Sequence, residues 1–242
     1  DVISSVGSVD TNSFQVATSG LALGKHTLLV NAKDDVANTM TTDLKFEFTV
    51  VVRKEHSLGL VPGWNLVSFP GDPVDTAIDT VVSPNTAIST ILTYDPADAN
   101  GPWLVATRVD GSLTGTLTTI DSNHAYWVST NTFDPIKTTL AEREFAALPP
   151  SIPLIAGWNL VPVGDLLLQT VGTELDADVY FASATWSVAY HFDASKNRWD
   201  KIVAALACDL NEATVRSSSD PGCVNIGEGW WLFTTKSGFL VP

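Results

Sequence analysis

The stretch GWNLVSFPGD, residues 63–72, returns later in the chain as GWNLVPVGD, residues 157–165. Tryptophan is rare and the order of the residues is kept, so chance is a poor explanation for the recurrence. The repeat predicts that one structural unit occurs twice in this chain.

Two further landmarks recur in the same order. An Asp is followed by a Trp, and a four-residue aromatic segment comes later: the matching positions are Asp95 and Asp193, Trp103 and Trp199, and residues 125–128 and 229–232. The offset between matching positions grows toward the C-terminus. We interpret the loop between the two cysteines as an insertion in the second copy, which accounts for that growth.

Composition limits the possible partners. The 27 acidic and 13 basic residues give a net charge of −14 and a pI near 4.4, which disfavours nucleic acid and anionic membrane surfaces. No apolar run of about 18 residues is present, so no membrane span is expected, and the N-terminus lacks the pattern of a signal peptide. Because the chain begins with Asp1, we interpret it as a mature chain or a fragment.

The N-terminal region predicts strands with one solvated face. Apolar residues alternate with polar ones over residues 28–32 and 44–50, which is the period of a β-strand. Residues 21–52 resemble the last strands of the immunoglobulin-like domains of bacterial and archaeal surface proteins, with Ala37 where that family usually has Gly. The resemblance implies that residues 1–53 are the C-terminal part of such a domain.

A complete immunoglobulin-like sandwich needs about 100 residues, and only about half of one is present here. Half a sandwich leaves an unpaired strand edge. We therefore expect a neighbouring subunit or a removed N-terminal segment to cover that edge by strand addition.

The rest of the chain predicts two tandem domains, residues 54–140 and 141–242. In the first, Pro73 precedes a stretch with helical spacing, so each copy is expected to carry a short helix. The fold class predicted for the whole chain is mainly β, with a partial immunoglobulin-like β-sandwich followed by two related small β-rich modules.

The repeated pattern resembles a module of large secreted and cell-surface proteins of bacteria and archaea. The pattern is Gly-Trp-Asn-Leu-Val, a short helix, Tyr-Asp with a Trp after a turn, and a final Gly-Tyr-Trp strand, and it covers about residues 58–242. Ala125 replaces the usual Gly, and residues 190–193 depart from Thr-Tyr-Asp. The resemblance implies a surface or S-layer-like context and no particular reaction.

The tryptophans have two interpretations. A small module needs large rings to fill its core, and we expect this role for Trp64, Trp127, Trp158 and Trp231. Rings exposed on a strand face could instead stack on sugars. For Trp103, Trp199 and Trp230 both interpretations stay open.

The sequence contains no recognisable catalytic motif. The four histidines, His26, His56, His124 and His191, lie on separate elements without the spacing of a zinc site, and no Gly-x-Ser-x-Gly motif occurs. We therefore expect that the chain is not an enzyme.

Calcium is the one cofactor that the sequence leaves open. Asp95, Asp98 and Asn100 lie in one turn, but Pro96 breaks the alternation that an EF-hand loop needs, so an ordinary Asx turn is the alternative. A second candidate site consists of Asp34, Asp35 and Asn38.

Cys208 and Cys223 enclose a polar segment with little apolar material to hold it in place. A disulfide between them would contribute about 3 kcal/mol through loop closure, and a pair of reduced thiols is the alternative. The disulfide would place the chain outside the cytoplasm, at the cell surface or in the extracellular space.

The function expected from the sequence is a non-catalytic structural building block of an extracellular or cell-surface assembly, such as an S-layer-like lattice or a surface filament. Its partners would be neighbouring subunits or other domains of the same longer chain. Two alternatives are a glycan-binding module that binds polysaccharide and the non-catalytic accessory tail of a secreted hydrolase.

Overall fold

The computed structural model describes residues 24–30, 44–50, 53–99, 101–141, 151–164, 174–204 and 222–241. The chain divides into two compact units, Asp1–Val52 and Arg53–Pro242. Strands dominate the described residues, which confirms the prediction of a mainly β protein. None of the helices in these ranges is long and apolar enough to cross a membrane.

The first unit contains one described hairpin. Strands β1 (Gly24–Val30) and β2 (Leu44–Val50) pair antiparallel, with Gly24 opposite Val50. Leu29, Leu44 and Phe46 are exposed on this hairpin. The candidate calcium ligands Asp34, Asp35 and Asn38 lie outside the described residues.

Residues 53–141 are called the first half of the second unit. Their elements are β3 (Arg53–Leu58), β4 (Gly63–Ser68), α1 (Ile78–Val81), β5 (Ile88–Tyr94), β6 (Trp103–Val109), β7 (Ser112–Gly115), β8 (Ala125–Thr130) and β9 (Ile136–Ala141). The main sheet has the order β4-β8-β5-β6-β7, and β3 pairs with β9.

Residues 151–241 are called the second half. Their elements are β10 (Ile152–Leu154), β11 (Gly157–Pro162), β12 (Glu174–Asp176), α2 (Ala177–Tyr180), β13 (Trp186–Asp193), β14 (Arg198–Val203), β15 (Cys223–Asn225), β16 (Gly229–Thr234) and β17 (Gly238–Leu240). The main sheet has the order β11-β16-β13-β14, and the pairs β10–β17 and β12–β15 flank it.

The strand orders of the two main sheets correspond position by position. β4, β8, β5 and β6 occupy the places that β11, β16, β13 and β14 occupy in the second half. The pairing of β5 with β8 shifts register between Ile88 and Thr90, and that of β13 with β16 shifts between Trp186 and Val188. The pairing of Asp176 with Cys223 also has a counterpart, the isolated bridge between Ala77 and Thr119.

Each main sheet covers its own hydrophobic core with one face. Strand alternation decides which residues reach it: in β16, Trp230 and Leu232 are buried in the core, while Trp231 and Phe233 lie on the opposite face. The first core includes Phe69, Ile91, Ile120, Tyr126 and Val128, and the second includes Val163, Phe181, Val224, Trp230 and Leu232.

The short helices each close one side of a core. Helix α1 buries Ile78 and Val81, and α2 buries Ala177 and Tyr180. Asp176 caps α2 by accepting from the Asp178 N–H at 2.8 Å. Both helices are a single turn, and each buries two side chains.

Candidate functional site

The repeated Gly-Trp-Asn segment is a turn fastened by a buried side chain. Gly63 and Gly157 have φ of 103° and 112°, in the left-handed region that favours glycine. Asn65 Oδ1 accepts from the Val61 N–H at 2.9 Å, and its Nδ2 donates to the Val61 O at 2.8 Å. The amide thus ties the chain before the turn to the strand after it.

The second copy of the turn makes the same bonds. Asn159 Oδ1 accepts from the Ile155 N–H at 3.0 Å, and Nδ2 donates to the Ile155 O at 2.9 Å. Nδ2 also reaches Thr234 Oγ1 at 3.1 Å, whereas Asn65 Nδ2 lies 3.3 Å from the Val128 O. Both asparagines are buried, so these bonds are shielded from water.

The residues after the asparagines place the two halves against each other. Leu66 and Leu160 form a third buried cluster with Ala125, separate from the two cores. Four aromatic residues pack against this cluster: Tyr94, Trp127, Phe192 and Trp231. We call these seven residues the joint.

The joint has a near two-fold arrangement. Tyr94 of the first half contacts Trp231 of the second at 5.2 Å between ring centroids, and Phe192 of the second contacts Trp127 of the first at 5.6 Å. Trp103 and Trp199 extend the pattern, 5.9 Å from Trp231 and 5.7 Å from Trp127 respectively. Corresponding residues of the two halves therefore make corresponding contacts.

The backbones meet closely beside the joint. A Cβ added at Gly229 would lie 2.8 Å from Ala125 Cβ and 3.1 Å from the Val67 O. Val67 forms an isolated β-bridge with Glu228, and the Ser68 N–H donates to the Gly227 O at 2.8 Å. Main-chain hydrogen bonding thus crosses from one half to the other.

The Ser68 side chain strengthens this crossing. Its hydroxyl is fully buried and lies 2.8 Å from the Glu228 O and 3.1 Å from the Val163 O. The corresponding residue in the second half is Pro162, which has no N–H to donate. Val161 and His124, which correspond to the bridged pair Val67 and Glu228, instead both line a cavity of about 190 Å³.

A larger concave surface opens beside the joint. Its volume is about 700 Å³, and the described residues that line it are all aromatic: Tyr94, Trp158, Tyr190, Trp199 and Trp231. We call this surface the aromatic groove. Trp158 is held edge-on by Phe233 at 5.1 Å, and Lys201 Nζ lies 5.9 Å from the Tyr190 ring centroid.

The structure corrects several expectations for the tryptophans. Trp230 has no exposed surface and packs in the second core, so it cannot stack on a sugar. Trp64 and Trp158 are 44% and 40% exposed, and the prediction that they fill a core is wrong, because strand alternation turns them to the face opposite the core. Trp127 and Trp231 pack in the joint and not in either core.

Of the three residues proposed to stack on glycans, two remain accessible. Trp103 and Trp199 are 46% and 51% exposed, and of the two Trp199 lines the aromatic groove.

The corner before the last main strand holds polar groups that are at least partly buried in both halves. His124 Nδ1 lies 2.7 Å from Asp121 Oδ1, and Tyr126 Oη accepts from the Asp121 N–H at 2.9 Å. Burial opposes the charge of Asp121, but the hydrogen bond and charge of His124 lower its pKa. Burial likewise works against protonated His124, yet the bond and charge of Asp121, with the charge of Asp95, raise its pKa.

The second half has a different set of residues at this corner. Glu228 accepts from the Asn225 N–H at 2.9 Å, from Asn225 Nδ2 at 2.8 Å and from Trp230 Nε1 at 2.9 Å. His191 Nδ1 lies 2.8 Å from the Gly229 O, and since a carbonyl only accepts, Nδ1 carries the proton. The carboxylate here is satisfied mainly by neutral donors.

The candidate calcium ligands form an Asx turn where they are described. Asp95 Oδ1 accepts from the Ala97 N–H at 2.9 Å, and Asn100 lies outside the described residues. Within the described ranges no group of three or more His, Cys, Asp or Glu residues is placed to hold a metal.

The matching turn of the second half is built around Asp193. Burial would raise the pKa of Asp193, but bonds from Lys196 and Ser195 lower it to about 2. The two turns therefore share an Asp that organises the hairpin.

Cys223 is disulfide-bonded, and Cys208, the only other cysteine of the chain, lies outside the described residues. Cys223 is fully buried, and in the strand pair β12–β15 it lies opposite Asp176, the residue that caps α2.

Sequence reasoning missed most of the joint. Leu66 and Leu160 lie in the repeated segment, and Tyr94 and Phe192 precede the matched aspartates. The sequence does carry one signal for the joint: both alternating sets of positions in these strands include apolar residues, which predicts a sheet that is covered on both faces.

No family model, curated protein or solved structure matches this chain.

Proposed function

We propose that this chain is a non-catalytic structural building block of an extracellular or cell-surface assembly, and that the two halves of its second unit are copies of one module. The copies are supported by the shared strand order, the shared register shifts and the matching asparagine turns at Asn65 and Asn159.

The observation that carries the proposal is the joint. Two small sheets have large surfaces relative to their volumes and gain little stability alone. Here their second faces cover each other with apolar and aromatic side chains, and main-chain bonds at Ser68 and Glu228 connect them. Such a joint suits a rigid link that transmits load, because both side-chain packing and main-chain hydrogen bonds hold the halves together.

The first unit suits the role of a connector. Its hairpin exposes Leu44 and Phe46 on one face and Leu29 on the other, and exposed apolar side chains on a strand pair are suited to cover by a further strand or sheet. We propose that it is the end of an immunoglobulin-like domain whose remaining surface is covered by a neighbouring subunit or another domain of a longer chain.

The proposal is tested in the cells that produce the protein. Antibodies against the full chain should label intact cells, and cross-linking of the native envelope should join the chain to surface proteins through residues near the β1–β2 hairpin. A protein found only in the cytoplasm, or a hydrolytic activity of the purified full chain on envelope polymers, would overturn it.

A second measurement tests the load-bearing role of the joint. The full chain, pulled at its ends in a single-molecule experiment, should unfold the second unit in one cooperative step. The variant Gly229→Ala should split that step in two, whereas Gly238→Ala, a strand glycine with open space around its Cα, should leave it unchanged. Two independent steps in the unaltered chain would contradict a rigid link.

A further inference from the structure

The aromatic groove is a large uncharged surface that the structural role does not use. Trp158 and Trp199 leave 40% and 51% of their surface in water, although the joint beside them buries similar rings. A contiguous apolar patch of this kind marks a site of interaction. Its volume of about 700 Å³ lies in the range of ligand sites, about 300–1,000 Å³.

We propose that the aromatic groove binds a neutral polysaccharide. An aromatic ring carries partial negative charge on its face, and the C–H groups on the flat side of a sugar ring are weakly positive, so the two surfaces stack. Trp158 and Trp199 supply the most exposed of the described tryptophan rings in the groove, and Tyr94, Tyr190 and Trp231 complete its described lining.

The charges around the groove select a neutral ligand. None of its described lining residues is charged, and the chain carries a net charge of −14, so an acidic polymer would be repelled. A cation would find suitable rings, but Lys201 Nζ already lies 5.9 Å from the Tyr190 ring and would repel it.

The lining also favours a sugar chain over a peptide. A peptide laid in the groove would bury its own N–H and C=O groups, which need hydrogen-bond partners. The lining offers few: the hydroxyls of Tyr94 and Tyr190 and the indole N–H groups. A polysaccharide covers the rings with its C–H faces and keeps most hydroxyls in the open water above.

The groove is preorganised by its continuity with the joint. Trp231 and Tyr94 belong to the joint, where their centroids lie 5.2 Å apart, and Trp158 is packed against Phe233. Rings that are already fixed lose little conformational freedom when a ligand stacks on them. Because Tyr94 comes from the first half, the complete groove exists only when the halves are joined.

The test titrates the full chain with soluble neutral polysaccharides: hydroxyethyl cellulose, xylan, galactomannan, β-1,3-glucan and amylose. Binding is measured by calorimetry and by retardation in gels that contain the polymer, with polygalacturonate as the acidic comparison. We expect at least one neutral polymer to bind and polygalacturonate not to bind. Trp158→Ala should weaken binding about tenfold or more.

Trp64→Ala is the matched control. Trp64 is the residue that corresponds to Trp158, has a similar exposure of 44% and packs against Trp127, but it lies outside the groove. It should leave binding within about twofold of the unaltered chain. If circular dichroism shows that Trp158→Ala is unfolded, Trp199→Ala takes its place.

Three outcomes would overturn the proposal: no binding of any neutral polymer, equal loss of binding in the Trp64 and Trp158 variants, or binding of a proline-rich peptide in the groove instead of a sugar. None of them bears on the structural role, which rests on the joint and on surface location.

Discussion

The two halves of the second unit differ at the point where the backbone crosses between them. On one side of the joint, Ser68 donates to the Gly227 O, and Val67 bridges to Glu228. On the other side, Pro162 has no N–H, and the corresponding Val161 and His124 line a cavity of about 190 Å³. A nearly symmetric set of side chains thus supports an asymmetric main-chain contact. Pro162 in place of Ser68 and Ala125 in place of Gly229 are two sequence differences at this point.

The two halves share the hydrogen bonds that stabilise each fold, but they differ in the residues that hold one half against the other. The asparagine turns are alike in nearly every bond, whereas the contacts around Ser68 and the polar corners are not. The hydrogen bonds that each half needs for its own fold are the same in both halves. The contacts between the halves differ, because the main-chain hydrogen bonds that join them are made on one side of the joint.

The largest expected effect tests the shared turn. Asn65→Ala and Asn159→Ala each remove three or more hydrogen bonds and leave buried backbone groups without partners. Each should lower the free energy of unfolding by about 3 kcal/mol, measured by urea unfolding of the full chain with tryptophan fluorescence.

Asn131→Ala is the control for both variants, because Asn131 is an exposed asparagine in the turn after β8. It should change the free energy of unfolding by less than about 0.5 kcal/mol. If one turn variant is destabilised and the other is not, the two turns are not equivalent and the comparison fails.

The repeated segment is also the part of the fold that the sequence predicted best. Its recurrence predicted a shared structural unit, and the turn at its start keeps the same residues because glycine at positive φ and a buried amide are local requirements. The location of Trp64 and Trp158 could not be predicted in the same way. Their exposure depends on which sheet face meets the other half, and that contact joins residues far apart in the chain.

The lining of the aromatic groove could not be predicted from the sequence either. The sequence left Trp199 and Trp230 equally open as stacking candidates, but only Trp199 is exposed and Trp230 is buried. Strand parity in β16 decides between Trp230 and Trp231, and the sequence has an aromatic residue at both positions. Where both faces of a strand are apolar, alternation cannot say which face is the core.

The second expected effect tests the close approach of the halves. Gly229→Ala places a methyl group 2.8 Å from Ala125 Cβ, which forces the halves apart and should cost about 2 kcal/mol. Adding Ala125→Gly removes the opposing methyl group and should recover at least part of the loss, measured as a double-mutant cycle in urea. Additive losses would mean that the two positions do not meet.

The third expected effect concerns the hydroxyl at the crossing. Ser68→Ala removes a buried hydroxyl that donates to the Glu228 O at 2.8 Å and accepts from the Val163 N–H at 3.2 Å, but it keeps the backbone bond to the Gly227 O. The loss should be about 1 kcal/mol in thermal or urea unfolding. Ser89→Ala removes a hydroxyl that bonds only within the first half, near the surface, and should cost less. Equal losses of stability in the two variants would mean that the Ser68 hydroxyl does not help to hold the halves together.

The smallest expected effect separates the two polar corners by their response to pH. The raised pKa of His124 means that its contribution is complete below about pH 6.5 and is lost as pH rises through the folded pKa. The lowered pKa of Asp121 means that its contribution is complete above about pH 4 and is lost as pH falls through the folded pKa. The pair therefore stabilises most between these limits.

The side chains of Asp121 and His124 are about one-third exposed, so the pair should contribute no more than about 0.2–1 kcal/mol. Urea midpoints at pH 5.5 and pH 8.5 should fall with rising pH in the unaltered chain and fall less in His124→Gln. Other titrating groups are common to both proteins and cancel in the difference. The same decrease in both proteins would mean that the pair of Asp121 and His124 does not contribute to the pH dependence of stability.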